Sequence, residues 1–141
     1  SPNSFHLNGD QCKAGHSNFT YDPFTLEGNF AFASAIQEML LQSHNGLIRI
    51  FPAAPQAWKD ISFTNLRTEG AFLVSATKQE GSIQSFSITA PQGGIARIRL
   101  PFPTYVISKS AGIKQLNSTD RTEILIQFEK GGIVQINNAF E

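Results

Sequence analysis

The apolar residues of this chain change period once, and that change limits what it can fold into. Before residue 47 the pattern is helical. Phe32, Ile36, Met39, Leu40 and Ser43 recur at helical spacing, and Ala31, Ala33 and Ala35 favour the helix. Gly28 and Asn29 offer an N-cap, and Asn45 and Gly46 offer a left-handed stop. Phe30 and Leu41 widen the apolar surface beyond one stripe, so the helix is expected to be buried on more than one side. From Leu47 on, the period is two.

Short strands are expected at 47–51, 72–77, 82–89, 95–100, 105–108, 113–116, 123–129 and 133–136. Turns are expected at Glu80, Gly81 and at Lys130, Gly131, Gly132. Phe72, Val74 and Ala76 should share a face, as should Phe86 with Ile88, and Ile124 with Ile126 and Phe128. Ala96, Ile98 and Leu100 alternate with Arg97 and Arg99, which gives that strand one wet face. Residues 1–28 show no sustained period and read as loop with Phe5, Phe19 and Phe24 as anchors. The expected fold is mainly β: an antiparallel β-sandwich preceded by one buried α-helix and an irregular N-terminal segment.

Composition removes several function classes. Eleven Lys+Arg balance eleven Asp+Glu, so the chain lacks the basic surplus of a sequence-independent nucleic-acid binder. No apolar run approaches the ~18 residues that span a membrane. A 40% apolar and 16% charged makeup is neither disordered nor coiled-coil. Cys12 is the single cysteine, which excludes an internal disulfide and a multi-Cys zinc site. Ser1, Pro2, Asn3 and Ser4 begin without Met or a leader pattern and read as a cut inside a longer polypeptide.

Few residues offer chemistry. Glu27, just before the expected helix, would sit at the positive end of its dipole, which favours the ionised carboxylate. Such a group can orient or activate a neighbour, or simply cap the helix, and Asn29 reads as a cap in the same way. His6, His16 and His44, with Asp10 or Cys12, fit no metal spacing; His44 suits a helix C-terminus. There is no Gly-x-Ser-x-Gly elbow, and Gly93, Gly94 and Gly131, Gly132 lack the Lys and helix of a phosphate cradle. Asn18 and Asn117 open glycosylation sequons. Trp58, the lone tryptophan, lies in a Pro-rich stretch where it could stack on a sugar ring or pin the linker to the core.

The ordered series Pro23, Phe24; Glu27, Gly28, Asn29, Phe30; 38–44; Gly46; 52–55; Trp58; Leu66, Arg67; and Gly70, Ala71, Phe72 resembles the C-terminal region of glycoside hydrolase family 95. That family contains α-L-fucosidases and α-L-galactosidases. The resemblance implies that residues 1–46 end an (α/α)6 catalytic barrel and that 47–141 form the C-terminal β-sandwich domain. It implies inverting hydrolysis, in which a glutamic acid protonates the leaving group and asparagines position water with help from an aspartate. The position matching that aspartate is Glu27, with Asn29 supporting it. The longer side chain displaces the carboxylate by one methylene, and a misplacement near 1 Å can cost about a hundredfold. Thr25 and Ala31 also differ from the residues usual there.

The family's general acid and asparagines belong to earlier parts of the barrel. The expectation is therefore a C-terminal fragment, structural or accessory to the catalytic barrel and inactive alone. Its partners would be the N-terminal barrel portion of the same polypeptide and, through the parent, an oligosaccharide substrate. Neither nucleic acid nor membrane is expected as a partner, no cofactor or metal is called for, and self-association through the apolar helix is expected. The resemblance implies an extracellular or periplasmic setting in a bacterium. A free-standing carbohydrate-binding β-sandwich, with Trp58 contacting the sugar, is the alternative.

Overall fold

A computed structural model describes residues 26–118, 120 and 122–139, without the side chains of Leu26 and Glu27. The chain separates into two units, Ser1–Gln37 and Glu38–Glu141. In the first, the described residues belong to helix α1, Leu26–Leu40, whose last turn passes into the second unit. Gly28 and Asn29 therefore lie inside the first turns rather than at the cap. The expected burial of this helix is not found. Phe30 is 67% and Phe32 70% exposed, while Ile36 and Met39 are half-buried. A helix apolar around its circumference needs more than one covering layer, and the described residues leave those two rings bare.

The second unit is one mixed sheet of eight strands. These are β1 (Leu41–Gln42), β2 (Leu47–Ile50), β3 (Ile61–Arg67), β4 (Leu73–Gln79), β5 (Ser82–Ala90), β6 (Gly94–Arg99), β7 (Tyr105–Ser118) and β8 (Glu123–Asn138). Their order is β1-β2-β6-β8-β5-β4-β3, with β7 on the other side of β8. Asn45 and Gly46 do take left-handed φ (57° and 69°), but they turn β1 into β2 instead of stopping the helix. Hydrogen bonds from Phe51 N to Leu40 O (2.7 Å) and Ala53 N to Met39 O (3.3 Å) extend that pairing to the last turn of α1.

β8 is the spine. β7 follows one of its edges from Tyr105↔Asn138 to Ser118↔Ile124. Its other edge is divided: β6 takes residues 123–128 and β5 takes 132–137. The change of partner falls at Lys130, Gly131 and Gly132, so these residues continue a bent strand and are not the turn their composition suggests. For the same reason 105–108 and 113–116 are one strand, as are 123–129 and 133–136.

Because both halves share β8, the sheet curls toward a nearly closed barrel, and it is not the expected pair of antiparallel sheets. Nor is it purely antiparallel: β2 pairs parallel with β6, Leu47↔Arg97 and Ile48↔Ile98. Residues 51–93 supply the long crossover that a parallel pair requires.

One apolar core fills the curl. Val74, Phe86 and Ile88 from one half meet Ile98, Ile124 and Ile126 from the other, with Val134 and Ile136 further along β8. All eight are essentially without solvent contact. Every expected alternation holds here, because a strand presents successive side chains to opposite faces. Ring pairs Phe51–Phe63, Phe72–Phe128 and Phe86–Phe102 add edge or tilted contacts at 5.2–6.1 Å. Strand β3 has no counterpart among the expected strands. A bulge between Phe63 and Leu66, with Asn65 at φ 55°, puts Thr64 and Asn65 outside together and breaks the period.

The bend in β8 depends on a close approach. A Cβ on Gly132 would lie 2.5 Å from Gly112 O and 3.0 Å from Glu129 O, both unyielding backbone atoms. A Cβ on Gly131 would meet nothing within 4 Å, though its φ of 76° disfavours other residues. Gly132→Ala is therefore expected to destabilise the chain by at least about 2 kcal/mol and Gly131→Ala by about 1 kcal/mol. Urea midpoints of the two variants check this; equal losses would contradict the close-approach account.

Candidate functional site

Glu27 and Asn29 occupy the first turns of α1. Asn29 is half-buried, and the Glu27 carboxylate lies outside the described residues. His6, Asp10, Cys12, His16 and Asn18 also lie outside them. Asn117 is exposed on β7. Among the described residues, no group of three or more His, Cys, Asp or Glu could hold a metal ion. No described helix is long and apolar enough to cross a membrane.

Two distant pieces of the motif series come together at the end of the sheet. The turn His44–Gly46 and the turn Glu69–Ala71 abut, and Glu69 N donates to Ser43 Oγ at 3.0 Å. Both turns use left-handed backbone, at Asn45, Gly46, Gly70 and Ala71. His44 Nε2 donates to Glu38 Oε2 at 2.7 Å, so its partner is a carboxylate in the last turn of α1 and not the helix dipole alone. A small pocket of about 120 Å³ opens here, between Ser43, Glu69, Phe72, Ile95 and Arg97.

Trp58 lies in the loop between β2 and β3. It is half-buried and is not among the residues packed against the core. What fastens this loop is polar: Gly81 N donates to Lys59 O (3.0 Å) and Glu80 N to Asp60 Oδ1 (2.8 Å), both from the β4–β5 turn. Trp58 N closes a tight turn onto Pro55 O at 2.9 Å.

The most developed polar cluster was not anticipated. Glu123 begins β8 and is only 4% exposed, on the outward face of the sheet. Arg97 Nε reaches its Oε2 at 2.8 Å, and Arg99 holds its Oε1 through Nε at 3.1 Å and Nη2 at 2.5 Å. The hydrogen bonds from Arg99 and then Arg97 hold the Glu123 carboxyl below its ordinary range, against the smaller opposing effect of burial. Asp120 organises the approach to this strand, accepting from Thr122 Oγ1 (2.7 Å), Thr122 N (2.6 Å) and Glu123 N (2.8 Å). The Thr122 hydroxyl leads in lowering its pKa as well.

Chemically, Glu123 is a fixed anion with both oxygens engaged. It is suited to clamping β6 to β8 and unsuited to donating a proton near neutral pH. The alternation of Arg97 and Arg99 announced a wet face. Nothing in the sequence paired that face with Glu123, since the pairing of β6 with β8 is a property of the fold.

Residues 42–136 match the family model described as "Glycoside hydrolase family 95, C-terminal domain". The chain belongs to glycoside hydrolase family 95, and this matched region, which runs from β1 into β8, is its C-terminal domain. Over 73 residues, 51% of this chain, it is 34% identical to the protein named "Alpha-L-fucosidase 2" of Arabidopsis thaliana. That stretch covers 9% of the plant protein's length.

Depressed carboxylate pKa values give stability that is complete above the ordinary glutamate value and lost as pH falls through the lower, folded-state value. The chain should therefore lose urea resistance as pH drops below about 4.5. Glu123→Gln should lower stability at pH 7 and flatten that acid-side loss, leaving the part due to Asp120. Equal slopes in the two proteins between about pH 5 and pH 2 would show that Glu123 does not carry it.

Proposed function

We propose that this chain is the C-terminal accessory domain of an inverting, α-L-fucosidase-like glycoside hydrolase. Its work is structural: it caps and stabilises a catalytic barrel that precedes it in the polypeptide. The observation that carries this reading is helix α1, which leads directly into the family-matched sheet with Phe30 and Phe32 exposed. Two bare aromatic rings on one helix are expensive in water, at about 1.5–3 kcal/mol for each such side chain left unburied. Helices of the preceding barrel supply the covering layer. In a lone chain, a second copy covers the same rings by self-association.

Under this proposal Glu27 is the one active-site group the chain contributes. It matches the position of the family's water-positioning aspartate, with Asn29 two residues further on. The general acid comes from the preceding portion, and the isolated chain does not hydrolyse glycosides. Support comes from the family match, from the order of the motif series and from the plant relative's name.

The test is hydrolysis of aryl α-L-fucoside and α-L-galactoside by this chain and by a longer polypeptide that includes the catalytic portion. The chain alone should be inactive and the longer protein active. Glu27→Ala in the longer protein should reduce kcat by about a hundredfold or more. Turnover by the chain alone, or a full rate after Glu27→Ala, would overturn the assignment.

A further inference from the structure

We propose that the loop carrying Trp58, between β2 and β3, forms a glycan-binding site. A tryptophan contributes most to a fold when its large surface is packed in the core. Here the only tryptophan of the chain stays out of that core, in a loop that accepts two hydrogen bonds from the β4–β5 turn. Those hydrogen bonds run through Lys59 O and Asp60 Oδ1 and do not use the indole.

The surroundings match a sugar. Trp58 lines an open cleft with Ala57, Lys59, Asp60 and Ile61, of about 660 Å³, within the ~300–1,000 Å³ of small-molecule sites. Asp60 also lines the adjoining cleft, where Gln79, Glu80, Ser82 and Gln84 supply amide, carboxylate and hydroxyl groups. A pyranose ring has an apolar C–H face and a rim of hydroxyls. An indole beside Asp and Gln side chains offers one partner for each. The polar cleft is built from the β4–β5 hairpin, whose Gln79↔Ser82 pairing sets the spacing of the two side chains. The occupant is a neutral oligosaccharide bound by one ring face. This site stands on its own geometry, and only the choice of sugar leans on the proposed function.

The experiment titrates this chain with an α-L-fucosyl oligosaccharide, and in parallel with the same oligosaccharide lacking fucose, in amide-resolved NMR. Binding should saturate with a Kd of order 1 mM and shift amides within 57–61 and 79–84. Because Trp58 is the only tryptophan, its fluorescence should change over the same range. Trp58→Ala should weaken binding at least tenfold, and Trp58→Phe should retain most of it. Gln79→Ala, at an exposed position, should weaken binding while keeping the tryptophan signal, so the test does not rest on the folding of one variant. Equal binding of both oligosaccharides supports the site and assigns it to the shared backbone sugars. Unmoved amides with both sugars, or shifts confined to other strands, would overturn it. Neither result touches hydrolysis by the longer protein, so the two proposals fail separately.

Discussion

The contact between Gly112 and Gly132 decides the architecture. Strand β8 must leave one neighbour and take another on the same edge, and it can turn only where two backbones approach without side chains. β7 bends at the matching place, with register shifts on either side of Gly112. Given that joint bend, the two halves of the sheet face each other, and their isoleucines, valines and phenylalanines close into one core. Without it, β8 could not pass from β6 to β5 along the same edge.

The local features of this arrangement were legible, and the connections were not. Alternation at Phe72, Val74, Ala76 and at Ile124, Ile126, Phe128 identified core faces correctly, because burial of alternate side chains is a local property. The Glu80, Gly81 turn was also readable, since both residues take positive φ as a tight hairpin demands. Lys130, Gly131 and Gly132 misled because glycine serves bends as well as turns, and only the partner strands distinguish them. The bulge at Asn65 concealed β3 by breaking its period. The parallel pairing of β2 with β6 left no sequence trace at all.

Polar chemistry followed the same rule. The motif series running from Pro23 to Phe72 was readable in order and pointed to the family that residues 42–136 match. The abutting turns at Ser43 and Glu69 show why some of those separated positions belong together: they meet at one end of the sheet. The Arg97–Glu123–Arg99 cluster escaped notice because its members are joined only by the β6–β8 register. Within the sheet that cluster acts as a rivet on the outer face, opposite the apolar core. Helix α1 differs in kind, since its apolar pattern was clear while Phe30 and Phe32 stand exposed on it.

The place of β8 in the chain order has a consequence for biosynthesis. It follows every strand with which it pairs, yet it is the strand that holds β5, β6 and β7 in one sheet. During translation, β5, β6 and β7 leave the ribosome with their β8-facing edges unpaired. The hairpin of β4 and β5 can form early, whereas the sheet closes only when residues 123–138 emerge. Such late, long-range closure slows folding and leaves strand edges open to wrong partners meanwhile.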